Sequence, residues 1–184
     1  MDLHAAIRTR RTIQRFRAGS VPEEAIERAL EAATWAPNHK TTWPFRFLRL
    51  GPEARETLFR IALRLKEAKK GPSPDLEAKV RGDWLVPDQI VAVVQVLSED
   101  RGRAEEDYAT CACATQNLLL SLHADGFGAK WNTGGLVRDA ESLRLLGLDP
   151  DVHRVVGLVL IGVPEIVPTP PRRPSLAELV RKVP

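Results

Sequence analysis

Residues 90–97 read IVAVVQVL, and residues 153–163 read HRVVGLVLIGV. The first run is continuously apolar and β-branched, so it has no polar face to give to water. It therefore predicts a central strand buried on both sides. The second run predicts another core strand. Helical patterns surround the two. Leu58, Ile61, Ala62 and Leu65 share one side of a helix over 53–69, which GPSPD at 71–75 breaks. A short helical stretch precedes Trp84 and Pro87. Residues 103–124 predict the longest helix, and the small residues of its middle, ATCACATQNLLL, suit close packing deep in the protein.

The remaining segments extend this pattern. Residues 2–9 carry a short amphipathic helix. Ser20 and Glu23 fit a capping box that opens a helix with Ile26, Ala29, Leu30 and Ala33 along one stripe. Pro37 ends it, because the residue before a proline disfavours helical geometry. FRFLRL at 45–50 reads as a strand. GFGAK at 126–130 turns into another strand, and WNTGG at 131–135 turns out of it. A helix is predicted over 136–146, and SLAELVRKV closes a proline-rich tail. There is no internal repeat and no linker, so residues 1–184 read as one α+β domain.

Composition narrows the function classes. A chain of 184 residues with 43% hydrophobic and 28% charged side chains can bury a full core without disulfide or metal. Its net charge is +3, carried by 20 Arg and 7 Lys interleaved with acids, as in RETLFRIALRLKEAKK. No basic arm is present, which argues against nucleic acid. Cys111 and Cys113 stand at i and i+2, which point apart on a helix, so both read as small buried thiols. The four histidines show no metal-ligand spacing, and no metal is expected. With no signal peptide and no apolar run long enough for a membrane, a cytoplasmic location is expected.

Chemistry has few places to reside. A P-loop is absent, and GFGAKW puts Trp131 where a dinucleotide fingerprint needs its third glycine. There is no G-x-S-x-G and no catalytic group is expected from a triad. Three stretches remain. Arg10, Arg11 and Thr12 offer two permanent cations and a hydroxyl, suited to a phosphate monoester. WAPNHKTTWPFRF at 35–47 gathers Trp35, His39, Lys40 and Trp43 in a loop, where large apolar rings are unusual. Trp131, Asn132 and Thr133 leave a strand ahead of two glycines that let a ligand approach the backbone. Each also has a plainer reading: a solvated helix end, a hydrophobic plug and an ordinary turn. Together they describe a site for an anion, a flat aromatic body and hydrogen bonds to ring edges, which fits flavin mononucleotide (FMN).

In this order, R-R-T followed by Phe, VPEEAIERALEAA, the A-P-x-H-K loop, the GFG…W-x-T-G segment and the closing IGVPE resemble the compact bacterial members of the nitroreductase family. The resemblance implies a three-layer α/β/α fold with a mostly antiparallel central sheet, and a homodimer with FMN at the subunit interface. It implies that Arg10, Arg11 and Thr12 hold the phosphate and ribityl end. It further implies that Trp35 and His39 reach the cofactor, His39 from the partner subunit, and that Trp131, Asn132 and Thr133 lie along the flavin. Gln14 stands where an arginine is usual, and Trp43 stands where larger relatives carry glutamine before the proline. A basic residue of the C-terminal segment touches phosphate in many relatives, and Arg172 is a candidate for it.

The activity implied is that of an FMN-dependent NAD(P)H oxidoreductase working by a ping-pong route. NADH or NADPH gives up a hydride and leaves before a small acceptor, a nitroaromatic or a quinone, takes its place. No residue need act as general acid or base. Without a nicotinamide-nucleotide fingerprint, poor discrimination between NADH and NADPH is expected. Two alternatives keep the flavin: a related chemistry such as reductive dehalogenation or flavin breakdown, and a non-enzymatic FMN-binding dimer.

Overall fold

The computed structural model describes residues 1–183, and Pro184 lies outside the described residues. Its centre is β5 (His153–Pro164), a twelve-residue strand that pairs with three others, all antiparallel. β3 (Gln89–Val96) lies on one side of β5, and β2 (Phe45–Arg49) lies beyond β3. On the other side β5 carries β4 (Gly128–Asn132) and, at its far end, β1 (Phe16–Arg17). One parallel bridge, Thr12 to Ala129, joins the N-terminal segment to β4.

The continuous apolar runs follow from layers on both faces of this sheet. Val91, Val93, Val156, Val159 and Ile161 pack with α2 (Glu23–Thr34) and α5 (Arg101–Ala124). Ile90, Ala92, Val94, Leu158 and Leu160 pack on the opposite side with α3 (Pro52–Lys70) and α4 (Pro74–Leu85). Alternation at period two thus divides each strand between two cores, and neither face meets water. The result is the three-layer α/β/α arrangement. Ala25, Ala29 and Ala33 of α2 pack with Cys111 and Ala114 of α5 in one core, where small side chains let the helices approach closely.

Three local expectations need correction. α2 begins two residues later than a Ser20 cap requires: Pro22 is its N-cap, and no side chain caps it. The reciprocal Ser–Glu arrangement occurs instead at α7 (Leu176–Leu179), where the Ser175 N–H and hydroxyl both donate to Glu178. The helix expected over 136–146 is interrupted. A 3-10 turn at Gly135–Arg138 precedes α6 (Ala140–Leu145), and Asp139 between them accepts from the N–H groups of Glu141 and Ser142 at 3.1 and 3.2 Å. Finally, only Cys111 is buried, and Cys113 is exposed on α5.

Two expected outcomes arise here. Burial pushes the Asp139 carboxyl up, but hydrogen bonds from Arg64 and the capped N–H groups hold it below its ordinary value. A depressed carboxyl contributes stability above its unfolded pKa and loses it as pH falls through the folded one. Asp139→Ala should therefore cost about 1 kcal/mol at pH 7. The gap to wild type should close in acid, as read by urea melts at pH 7 and pH 3. Burial, with Asp107 nearby, also pushes the Cys111 thiol up to about 12. Iodoacetamide at pH 8 should then leave Cys111 unlabelled on folded protein, and mass spectrometry finding Cys111 alkylated would contradict this.

Candidate functional site

The arginine pair sits where α1 (Leu3–Thr9) stops. Arg10 turns to φ −56, ψ 130, leaving helical geometry. On a continuing helix neighbouring side chains diverge by about 100°; here the chain bends away, and Arg10 and Arg11 line one cavity of about 160 Å³. Arg11 donates through Nη1 to the Arg8 and Arg10 carbonyls at 2.8 and 2.7 Å, capping the negative end of α1. Its buried Nε has no partner among the described residues. Burial, then the charges of Arg11 and Arg173, push the Arg10 guanidinium down from its ordinary value. So the C-terminal segment does bring a cation to this place, and it is Arg173 rather than Arg172 whose charge reaches Arg10.

His123, near the end of α5, completes the cavity wall. The Thr9 hydroxyl donates to the Ala5 carbonyl at 2.7 Å, so the 2.8 Å contact to His123 is a bond donated by Nε2–H. Burial and the two arginines lower this imidazole's pKa. Two lining arginines, a third positive charge acting on Arg10 and a buried N–H left over give this cavity the chemistry to take an anion. Nothing in the spacing of Arg10 and His123 could have joined them; the fold of α5 against α1 does.

From there the chain runs to the edge of the sheet. Ile13 N–H donates to the Ala129 carbonyl at 3.1 Å, beside the Thr12–Ala129 bridge. Gly128 permits this approach, because a Cβ there would lie 2.7 Å from Ile13 Cγ1. Thr12 is exposed at this edge. At the other end of β4, Asn132 accepts from Gly134 N–H at 2.9 Å and lines a cleft of about 380 Å³ together with Gly134 and Gly135. Thr133 is exposed and opens on the opposite side, near Tyr108 and Arg154. Trp131 is spent inside the fold. Its indole N–H donates to the Val156 carbonyl at 3.3 Å, and its ring lies over Gly157. The residue as a whole stays half-buried.

The aromatic loop lies elsewhere. Asn38 accepts from Trp43 N–H at 2.8 Å and donates to the Thr42 hydroxyl at 2.9 Å. Helix α5 grips the loop from beneath: Thr42 donates to Asp107, Thr110 donates to the Pro37 carbonyl, and His39 Nδ1 meets Glu106 at 2.8 Å. Lys40, Thr41 and Trp43 all take left-handed backbone, at φ 62, 50 and 48. Each such residue costs about 1–2 kcal/mol, so the loop is held strained by these bonds. The rings do not plug their own fold, since Trp35 is 79% and Trp43 52% exposed.

In one chain the expected residues therefore form two groups. His39 is tied to Glu106 and the arginine cavity to His123, toward opposite ends of α5. At 1.5 Å per residue those anchor points lie about 25 Å apart. Among the described residues no helix is long and apolar enough to cross a membrane.

Comparison with known proteins agrees on family and fold. The profile of the nitroreductase family matches residues 7–163. A Bacillus subtilis (strain 168) protein named "Putative NAD(P)H nitroreductase YfhC" is 28% identical over 181 residues, 96% of this chain and 91% of that protein. The crystal structure of a nitroreductase-like family protein from Bacillus cereus superposes with a TM-score of 0.85 at 26% identity, covering 100% of this chain and 96% of that one. A structure described as a "putative nitroreductase in complex with FMN", from Desulfovibrio desulfuricans, has a TM-score of 0.75 at 29% identity, over 100% and 98% of the two chains. The chain belongs to the nitroreductase family.

Proposed function

We propose that residues 1–184 act as one FMN-binding domain of a homodimeric NAD(P)H oxidoreductase, whose acceptors are nitroaromatics or quinones. The observation that carries this reading is that Arg10 and Arg11 line one cavity, with a buried Arg11 N–H unpartnered among the described residues and the charge of Arg173 acting on Arg10. That donor set suits a phosphate dianion. The FMN bound by the Desulfovibrio protein supports assigning the phosphate to FMN. Bound FMN would supply two-electron chemistry, accepting a hydride from reduced nicotinamide and passing it to the acceptor.

The chain's own groups then bind, orient and exclude water. Arg10, Arg11 and Arg173 neutralise the phosphate, and Thr12 at the β4 edge takes the ribityl end. Asn132, Thr133 and the Trp131 backbone border the ring where β4 finishes. Trp35 and His39 close the site from a second subunit, since their loop lies too far from the arginine cavity of their own chain. An antiparallel pairing of two α5 helices would set Glu106 of one opposite His123 of the other. The two-fold axis would pass near Cys113 and Gln116, both exposed on α5.

That pairing has a direct check. Mild oxidation with copper phenanthroline should link two chains through Cys113, and Cys113→Ser should abolish the link. A native dimer by light scattering that never cross-links would refute this axis. For the cofactor, the visible spectrum of purified protein given FMN comes first, followed by NADH without oxygen. Flavin absorption that survives gel filtration and bleaches on NADH supports the oxidoreductase. Protein that retains no flavin would falsify the cofactor assignment, and retained flavin that stays oxidised would favour a non-enzymatic role. Intersecting rather than parallel initial-rate lines would count against the ping-pong route.

A further inference from the structure

Charge on this protein is unevenly placed. A cleft of about 900 Å³ borders α3, α4 and Lys130 of β4, and Arg15, Lys66, Lys70 and Lys79 also line it. It shares Lys66, Asp83 and Lys130 with the cleft at Asn132–Gly135, whose wall adds Lys69. Five of the seven lysines in the chain therefore line one groove region made of two adjoining clefts. Six cations face two carboxylates, Asp83 and Glu165. This surplus of four exceeds the +3 of the whole chain, so the rest of the protein is close to neutral.

Most ion pairs among the described residues lie outside the groove. Arg28, Arg49, Arg64, Arg81 and Arg103 each pair with a carboxylate elsewhere. In the groove Lys66 meets Asp83 at 3.1 Å. Lys69, Lys70, Lys79 and Lys130 enter no ion pair among the described residues. Like charges gathered without partners repel one another, and a groove lined by one sign focuses its field on incoming ions. Lysine ammonium groups on flexible stems suit anions of varied shape better than one fixed bidentate ligand.

We propose that this lysine groove receives the anionic groups of the substrates that exchange electrons at the β4 edge, making phosphorylated or carboxylated molecules the preferred class. The proposal deepens the FMN reading above and rests on it, because the Asn132–Gly135 cleft, which borders the proposed ring position, shares Lys66, Asp83 and Lys130 with the larger cleft. It also revises the expectation of poor nucleotide discrimination: a cationic groove favours the additional phosphate of NADPH over NADH. The anion has two possible sources, the phosphates of the reductant and a carboxylate on the acceptor.

The test compares FMN-loaded wild type with the triple variant K69A/K70A/K79A, leaving the paired Lys66 and the strand residue Lys130 in place. The reductants are NADPH, NADH and uncharged 1-benzyl-1,4-dihydronicotinamide; the acceptors are 4-nitrobenzoate and uncharged 4-nitrobenzamide. The expected result is a loss of about tenfold in kcat/KM for the anionic compounds, carried by KM, with a shallower salt dependence than wild type. A loss confined to NADPH and NADH assigns the groove to reductant phosphates, and one confined to 4-nitrobenzoate assigns it to the acceptor. No loss, or an equal loss with the uncharged compounds, overturns the proposal. Flavin content after gel filtration is recorded for both proteins. If neither retains FMN, the cofactor reading fails by itself. The groove is then judged by calorimetric titration with NADP+, where equal affinity of the two proteins overturns it and weaker binding by the variant upholds it.

Discussion

Replacing Arg10 and Arg11 together with alanine is expected to weaken FMN binding by about two to four orders of magnitude. Each charge-assisted hydrogen bond to a phosphate contributes roughly 1.5–3 kcal/mol, and about 1.4 kcal/mol is a factor of ten. Arg10 and Arg11 line the same cavity, so both contributions fall on one group. Riboflavin, which has no phosphate, is the internal control. Its affinity should change little between wild type and variant when both are titrated by flavin fluorescence. An equal loss for riboflavin would mean that the arginines act through the fold, Arg11 by way of its cap on α1. Single variants separate the two effects, since Arg10→Ala leaves that cap in place. Arg173→Ala should give a smaller loss, because its charge acts on Arg10 from the C-terminal segment.

The second large effect lies in the sheet. Between Val93 and Val94 the pairing with β5 slips from Gly157 to Val155, leaving Val156 as the extra residue of a bulge. Its carbonyl accepts the Trp131 indole N–H, and the ring fills the space above Gly157. A Cβ on Gly157 would stand 2.0 Å from Trp131 Nε1. Gly157→Ala must therefore expel the indole, losing its hydrogen bond and its packing in the α2/α5 core. A destabilisation of about 3 kcal/mol is expected, at the upper end for overpacking. Urea unfolding of the single variant and of the double variant with Trp131→Ala measures the coupling. With the indole gone, Gly157→Ala should cost little, and strict additivity would refute the steric account.

These two effects differ in how far the amino-acid order announces them. Two neighbouring arginines before a threonine are visible as an anion-binding candidate without any structure, because a guanidinium is charged in every context. Gly157, in the middle of VVGLVLIG, reads only as a weak point in a strand. Its necessity depends on a tryptophan that is 26 residues away in the chain and adjacent only after β4 pairs with β5.

The division holds across the molecule. Local order alone determined the core strands at 90–97 and 153–163, the long helix through ATCACATQNLLL and the turn at GPSPD. Hydrophobic periodicity and backbone sterics act within a few residues, and so they are legible in a linear chain. Tertiary structure decided what depends on distant partners. It replaced the Ser20 cap with Pro22, exposed Cys113 while burying Cys111, and committed the Trp131 indole to a backbone carbonyl. It brought Arg173 and His123 to Arg10 and set Lys79 and Lys130 beside the three lysines at the end of α3. It also set the aromatic loop and the arginine cavity toward opposite ends of α5, because the length of a helix, unlike its composition, fixes how far apart its neighbours must lie.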